Sequence, residues 1–211
     1  MLLTNHLSTQ PIWLLLLSSL GFFIILKKTS SLLNWVFVTF IRHPKNPKSY
    51  GSWAMVTGAT DGIGKAFAHQ LAKHGLNLIL VGRDPNKLKS VSEEYQAEFP
   101  NTQIKRIVFD FSRNILEGVK VIEESIKELD VGILINNVGV SYPRAAYFHE
   151  VEEDDWMKLV RVNLEGTTCV TRAVLPGMLL RKRGAIVNIG SGAAIVVPSH
   201  PLYAIYAATK A

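Results

Sequence analysis

The sequence has a single cysteine, Cys169, and no Asn-x-Ser/Thr glycosylation site. One cysteine cannot form an intramolecular disulfide, and no cysteine or histidine cluster has the spacing of a zinc site. Both absences are typical of a folded region that faces the reducing cytosol. A chain of 211 residues has room for one sizeable domain and an appendage. A domain of that size can be stabilised by a hydrophobic core and needs no disulfide or metal.

Acidic residues are missing from the first 50 residues, which contain five basic side chains: Lys27, Lys28, Arg42, Lys45 and Lys48. The rest of the chain is nearly balanced, with 18 basic and 17 acidic residues. The net charge of +6 therefore does not indicate nucleic acid binding. Because the basic excess flanks apolar sequence, it favours membrane lipid as the partner of this segment.

A long apolar run covers residues 11–26 without a charged side chain, and 20 uncharged residues can be counted from Leu7. This length suits a helix that crosses a hydrocarbon core of about 30 Å. A cleaved signal peptide is the alternative, but its basic residues normally precede the apolar run, whereas Lys27 and Lys28 follow it. We therefore expect a retained transmembrane helix whose carboxyl-terminal end lies in the cytosol.

A second apolar run, residues 32–41, is too short to span and carries Trp35 and Phe37, which are typical of a membrane interface. We expect an interfacial or re-entrant segment there. Residues 42–51 are basic and contain prolines, which indicates a linker. The expected organisation is an anchor and linker over residues 1–50 and a catalytic domain over residues 51–211.

From Trp53 onwards, short apolar runs alternate with longer amphipathic stretches, which is typical of βαβ units around a parallel sheet. Strands are predicted at residues 53–57, 77–81, 104–110, 131–135 and 184–189. Helices are predicted at residues 63–74, from 84, at 114–129, at 152–181 and from 203. The expected fold is α/β, a Rossmann-like doubly wound parallel sheet with an amino-terminal transmembrane helix.

The first predicted strand leads into a glycine-rich turn, Thr57-Gly58-Ala59-Thr60-Asp61-Gly62-Ile63-Gly64. Glycines in such a turn permit a tight bend, close approach of the backbone to a pyrophosphate and close helix–strand packing. The amino terminus of the next helix offers free N–H groups to phosphate. A glycine-rich turn alone is a weak signal, but here the strand and the helix stand where a dinucleotide site requires them.

Tyr206 and Lys210 are four residues apart in a predicted helix and therefore share one face. An ammonium beside a phenol favours the phenolate and makes the hydroxyl a usable proton donor near neutral pH. The pattern Tyr-x-x-x-Lys is common on solvated helix faces, but together with a nucleotide-binding loop it indicates a carbonyl reductase. Tyr203 has Ala207 at the same spacing, and an alanine cannot tune a phenol.

These motifs resemble the short-chain dehydrogenase/reductase family, whose first motif is Thr-Gly-x3-Gly-x-Gly. Asn136-Asn137-Val138-Gly139 is similar to the family's Asn-Asn-Ala-Gly motif, with valine in place of alanine. The resemblance covers residues 51–211. It implies that a dinucleotide contacts the glycine loop, the strand ends and the Tyr-Lys pair: Gly58, Thr60, Asp61, Gly62, Ile63, Gly64, Arg83, Asp110, Asn137, Gly139, Tyr206 and Lys210.

The same resemblance implies the catalytic roles. Asn163 matches the asparagine that holds a proton-relay water, and Ser191 matches the serine that stabilises the carbonyl oxygen. Ser191 lies fifteen residues before Tyr206, about two more than is usual in the family, and Ser199 is a competing hydroxyl. With Tyr206 as proton donor, the implied catalytic residues are Asn163, Ser191, Tyr206 and Lys210.

The choice of cofactor depends on the end of the second predicted strand. A carboxylate there would bind a ribose 2′-hydroxyl and repel a 2′-phosphate, but this chain has Gly82-Arg83. Arginine pairs well with phosphate, so NADPH is expected rather than NADH, with Lys65 as a possible second cation. The resemblance implies that Asp110 meets the adenine ring.

Within the family, the anchor together with residues 81–84 and 188–192 resembles the very-long-chain 3-oxoacyl-CoA reductases of the plant endoplasmic reticulum. This implies reduction of a 3-oxoacyl-CoA during fatty acid elongation. Other elongation enzymes and a second copy of the chain, as a homodimer, are candidate partners, and the oligomeric state stays open. A membrane-anchored hydroxysteroid dehydrogenase shares every motif and stays open. So does a truncated, non-catalytic chain, because domains of this family continue past the Tyr-Lys helix with another helix and two strands.

Overall fold

The computed structural model describes residues 11–196 and 201–211. The chain divides into two compact units, Met1–Lys45 and Asn46–Ala211. Ser199, the competing hydroxyl in the sequence prediction, lies outside the described residues.

The described part of the first unit is one long apolar helix. Helix α1 covers Ile12–Val36 and continues as a π-helical turn, Phe37–Ile41. The structure joins the two predicted apolar segments because no proline or glycine lies between Lys27 and Ile41 to end the helix. None of the residues of α1 is buried, so α1 differs from the core helix of a soluble protein.

By length and composition, Ile12–Ile41 is a candidate membrane span of 30 residues. At 1.5 Å per residue such a helix is roughly 45 Å long, which exceeds a hydrocarbon core of about 30 Å. If α1 crosses a membrane, part of it therefore extends into the interfacial layer. Trp35 and Phe40 lie at the carboxyl-terminal end of the helix, with their rings edge to face at 5.7 Å.

The second unit contains the predicted parallel sheet. Within its described residues, five strands are hydrogen-bonded in the order β3-β2-β1-β4-β5, and all pairs are parallel. The strands are β1 Trp53–Thr57, β2 Asn77–Gly82, β3 Ile104–Val108, β4 Val131–Asn136 and β5 Ala185–Asn188. The predicted α/β fold with a Rossmann-like sheet is confirmed.

Helices cover both faces of this sheet. They are α2 Gly62–Lys73, α3 Pro85–Glu98, α4 Ile115–Ile126, α5 Glu153–Leu159, α6 Gly166–Leu180, α7 Gly192–Ile195 and α8 Ala204–Thr209. A π-helical segment, Val160–Glu165, joins α5 to α6, so the helix predicted over residues 152–181 is continuous but locally widened.

Alternation along β1 explains the two layers. Ala54 and Val56 belong to a buried cluster with α2 and α3, whereas Met55 belongs to a second cluster with α4 and α6. Successive side chains of a strand point to opposite faces, and all three residues are fully buried. The strand therefore carries an apolar core on each side, as a doubly wound sheet requires.

The order of the strands determines where a ligand site can lie. The chain winds outward from β1 to β2 and β3 and then crosses back to β4 on the other side of β1. In open α/β sheets the crevice beyond the carboxyl ends of the strands at such a reversal is the usual binding place. The glycine loop follows β1, and Asn137 follows β4, so both lie at this crevice.

Candidate active site

The hydroxyl of Thr57 joins the carboxyl ends of β1 and β4. Its Oγ1 accepts hydrogen bonds from the backbone N–H groups of Asn137 at 3.0 Å and Val138 at 3.1 Å, and it donates to the carbonyl oxygen of Ile135 at 3.3 Å. Thr57 is fully buried. One side chain thus fixes the loop after β4 against the strand that leads into the glycine loop.

The side chain of Asn137 continues this connection. Its Nδ2 donates to the carbonyl oxygens of Thr57 at 3.0 Å and Gly58 at 3.2 Å. Because an amide nitrogen carries two hydrogens, both donors of Asn137 are used within the protein. Its side chain therefore shapes the predicted cofactor loop through the carbonyl groups that it holds.

Gly58 and Gly64 each determine part of the shape of this loop. Gly58 has a positive φ of 66°, which residues with a Cβ rarely adopt. A Cβ on Gly64 would overlap the carbonyl oxygen of Gly58 and the side-chain amide of Asn137. The start of α2 can therefore lie close to β1 only because position 64 has no side chain.

The exposed part of the loop lies at the amino terminus of α2. Asp61, Gly62 and Ile63 are exposed, and the Asp61 carboxylate accepts from the N–H of Gly62 at 2.8 Å. The amino-terminal N–H groups of a helix of this length attract phosphate. The predicted loop residues are thus accessible where a pyrophosphate would bind.

A cavity of about 180 Å³ extends from the loop along the ends of the strands. Its walls include Thr60, Arg83, Asp110 and Gly139, all of which were predicted to contact the cofactor. Lys65, the suggested second cation, is placed differently. It lines another cavity, between α2 and α3, where its ammonium pairs with Glu94 at 2.8 Å.

Asp110 and Arg83 both line this cavity. Burial acts to raise the pKa of Asp110. The backbone N–H and the hydroxyl of Ser112 donate to its carboxylate at 2.9 Å and 2.8 Å, and these bonds lower the pKa. The positive charges of Arg83 and Arg113 lower it further. Together these groups hold the pKa of Asp110 below its ordinary value. The carboxylate is therefore ionised at neutral pH.

Lys210, the residue after α8, contacts the loops that follow β4 and β5. Its Nζ donates to the carbonyl oxygen of Ile189, the residue after β5, at 3.1 Å. A Cβ placed on Gly139 would lie only 2.6 Å from this nitrogen, so the missing side chain makes room for the ammonium. Burial lowers the pKa of Lys210, because a half-buried ammonium loses hydration.

Asn163 is buried in the π-helical segment and joins three parts of the site. Its Oδ1 accepts from the N–H of Val140 at 2.8 Å, and its Nδ2 donates to the Val140 carbonyl at 2.9 Å and to Thr209 Oγ1 at 2.9 Å. Both amide hydrogens are therefore used. What the side chain can still offer to a water is the second lone pair of Oδ1.

Tyr206 lies on α8, half-buried, with its ring 6.4 Å from that of Tyr203 in an edge-to-face arrangement. Tyr203 in turn stacks on Tyr142 at 5.7 Å, and the Tyr142 hydroxyl accepts from the N–H of Ile205 at 3.0 Å. Sequence reasoning missed Tyr142. Its contacts join segments more than 60 residues apart, and no local motif marks it.

Ser191 follows β5 and precedes α7. Its Oγ accepts from the N–H of Ala193 at 3.2 Å, which makes Ser191 the N-cap of this short helix. Within the described residues, the structure gives its hydroxyl hydrogen no acceptor. A substrate carbonyl oxygen is the kind of group that this hydrogen can bind.

The chain belongs to the short chain dehydrogenase family, whose profile matches residues 52–211. Among curated proteins, it is 61% identical over 204 residues to a very-long-chain 3-oxoacyl-CoA reductase-like protein of Arabidopsis thaliana, covering 96% of this chain and 65% of that protein. A very-long-chain 3-oxoacyl-CoA reductase of Emericella nidulans is 42% identical over 185 residues, 84% of this chain and 53% of the fungal one. The chain thus spans less than two thirds of these relatives.

Two further comparisons bear on catalysis and on the cofactor. Inactive hydroxysteroid dehydrogenase-like protein 1 of Homo sapiens is 45% identical over 164 residues, covering 78% of this chain and 48% of that protein. Among solved structures, a short-chain dehydrogenase from Sphingobium yanoikuyae in complex with NADPH superposes with a TM-score of 0.67 at 30% identity, covering 75% of this chain and 59% of the other.

Replacing Thr57 by valine tests the connection between β1 and β4. The substitution keeps the shape of the side chain but leaves the N–H groups of Asn137 and Val138 without their acceptor. We expect a loss of about 2–4 kcal/mol in the free energy of unfolding, measured by urea titration in detergent. Thr57→Ser keeps the hydroxyl and should lose less than about 1.5 kcal/mol. A Thr57→Val protein as stable as the unmodified chain would contradict this role.

Proposed function

We propose that the protein to which this chain belongs reduces a 3-oxoacyl-CoA to the 3-hydroxyacyl-CoA with NADPH, as a step of very-long-chain fatty acid elongation. The observation that carries the proposal is the position of Lys210. Its ammonium occupies the space left by Gly139, which lines the same cavity as Gly58 and Thr60 of the glycine loop. Lys210 follows Tyr206 by four residues. The identity to the plant and fungal reductases supports the choice of substrate.

The residues present fit a dinucleotide phosphate. The backbone between Gly58 and Gly64 has the compact shape that a pyrophosphate site requires, because Gly58 adopts a positive φ and Gly64 packs on the Gly58 carbonyl group. Arg83, exposed at the end of β2 and on the wall of the cavity, would hold the 2′-phosphate. The NADPH complex of the Sphingobium relative supports the same choice.

When bound, NADPH supplies the hydride that reduces the ketone carbon. Tyr206 donates its phenolic proton to the oxygen of the former carbonyl, and Ser191 donates a hydrogen bond to that oxygen as negative charge develops on it. An ammonium has three N–H donors, and one of those of Lys210 is used by Ile189. The other donors would orient the nicotinamide ribose.

The apolar helix supports a membrane location for this chemistry. We assign α1 to the endoplasmic reticulum membrane, with the second unit on the cytosolic side, because Lys27 and Lys28 follow the uncharged part of the helix. A long acyl chain is itself lipid-soluble, so tethering the site to the bilayer keeps enzyme and substrate together. Other elongation enzymes and a second copy of the chain are the proposed partners.

The human relative with "inactive" in its name favours a second candidate, a non-catalytic chain. The presence of both Tyr206 and Lys210, with the lysine packed on Gly139, supports catalysis instead. A membrane-anchored hydroxysteroid dehydrogenase would use the same groups. A turnover assay that separates these candidates therefore has to offer both an acyl-CoA and a ketosteroid as substrate.

Turnover by the full chain in detergent tests the proposed function. With NADPH and a long-chain 3-oxoacyl-CoA, we expect NADPH oxidation that Tyr206→Phe lowers about 100-fold or more, because the proton donor is lost. Tyr203→Phe is the matched control and should retain most of the activity, since a phenyl ring at that position keeps the aromatic contacts with Tyr142 and Tyr206. Reduction of a ketosteroid but not of the acyl-CoA would favour the steroid candidate, and no turnover of either would favour the non-catalytic one.

The preference for NADPH over NADH is tested at Arg83. Arg83→Gln should raise the KM for NADPH about 10- to 100-fold, because a charge-assisted contact worth about 1.5–3 kcal/mol is lost, and leave the KM for NADH within about twofold. Arg113→Gln is the control, since Arg113 also lies near Asp110 but is largely exposed. Equal effects of Arg83→Gln on both cofactors would overturn this assignment.

A further inference from the structure

Thr209 lies between the two parts of the site that carry the proposed proton chemistry. Its hydroxyl donates to the carbonyl oxygen of Tyr206 at 2.9 Å. The same hydroxyl oxygen accepts from the Nδ2 of Asn163 at 2.9 Å. In the Tyr-x-x-x-Lys motif this position is one of the three variable residues, so the motif assigns it no role.

A bond from a threonine to a carbonyl three or four residues earlier is common in helices and by itself means little. Thr168 makes one of this kind, to the carbonyl of Leu164 at 2.8 Å, on an exposed surface. Thr209 differs because its second partner is a buried side chain from another element. Asn163 is only 4% exposed, and an amide hydrogen without a partner there would be costly.

The directions of these bonds are determined by the number of hydrogens. The threonine hydroxyl has one hydrogen, and it is donated to Tyr206, so Thr209 must be the acceptor toward Asn163. The Nδ2 of Asn163 therefore points to α8, and its Oδ1 points to the N–H of Val140. A Cβ on Gly139 would lie 3.4 Å from this Oδ1 and 2.6 Å from the Nζ of Lys210, so amide and ammonium border the same space.

We propose that Thr209 is a positioning residue that holds the helix of Tyr206 and Lys210 in register with Asn163. The inference rests on the proposed function for its effect on turnover, but the contact itself is a property of the protein. Thr209 hydrogen-bonds the end of α8 to Asn163 in the π-helical segment. Asn163 in turn is hydrogen-bonded to Val140 in the loop that follows β4. The phenol and the ammonium thereby keep a constant position relative to the cofactor loop.

The variants Thr209→Val, Thr209→Ser and Thr168→Val in the full chain test this proposal. Valine removes both bonds and keeps the shape, so kcat should fall about tenfold, in line with the sensitivity of catalysis to small misplacement, while the KM for NADPH stays within about twofold. Serine restores the hydroxyl and should return kcat to within about threefold of the unmodified chain. Thr168→Val should leave both constants unchanged.

A second measurement is independent of turnover. In a ¹⁵N–¹H spectrum of the chain in detergent, the side-chain amide of Asn163 is assigned by its loss in Asn163→Asp. One of its two proton resonances should shift upfield in Thr209→Val, because its acceptor is gone, and stay in place in Thr209→Ser and Thr168→Val. An unmodified chain that turns over no ketone would overturn the proposed function, and the amide resonance would still decide the contact.

Any of three results would overturn the role of Thr209. The first is an Asn163 amide spectrum that Thr209→Val leaves unchanged. The second is an active chain in which Thr209→Val keeps the unmodified kcat, and the third is one in which Thr209→Ser is as impaired as Thr209→Val.

Discussion

The constraint on which the rest of the site depends is that a half-buried ammonium must fit beside the end of β4. Burial lowers the pKa of Lys210, and the bond to the Ile189 carbonyl offsets only part of the lost hydration. The arrangement is possible because Gly139 has no side chain in the space that Nζ occupies. The roles proposed for Lys210 toward the nicotinamide ribose and beside Tyr206 assume that the ammonium stays there.

Hydrogen bonds between distant residues keep this space open. Thr57 and Asn137 join the loops after β1 and β4, and Asn163 joins the second loop to α8 through Thr209. In a site of low local dielectric, such bonds reinforce one another, and an unpaired member is expensive. The local π-helix around Asn163 is consistent with this, since single π-helical turns occur often at functional sites.

The strands and most helices could be predicted from the sequence because alternation and helix caps are local signals. Asp84 and Pro85 start α3 as expected, with the Asp84 carboxylate accepting from two backbone N–H groups. The third strand ends at Val108, two residues earlier than predicted, because the Asp110 carboxylate turns the chain by binding Ser112. The contacts of Tyr142 and Thr209 depend on how separate segments pack, so the sequence carried no signal for them.

The most direct test of this account is a double-mutant cycle on NADPH affinity between Gly139→Ala and Lys210→Ala, with the full chain in detergent. Gly139→Ala alone should weaken binding at least about tenfold, because the new Cβ displaces the ammonium, and Gly21→Ala, a substitution into open space, should have no effect. Once Lys210 is alanine, adding Gly139→Ala should change the affinity less than about twofold, because interacting residues are not additive. An equal loss in both backgrounds would contradict the account.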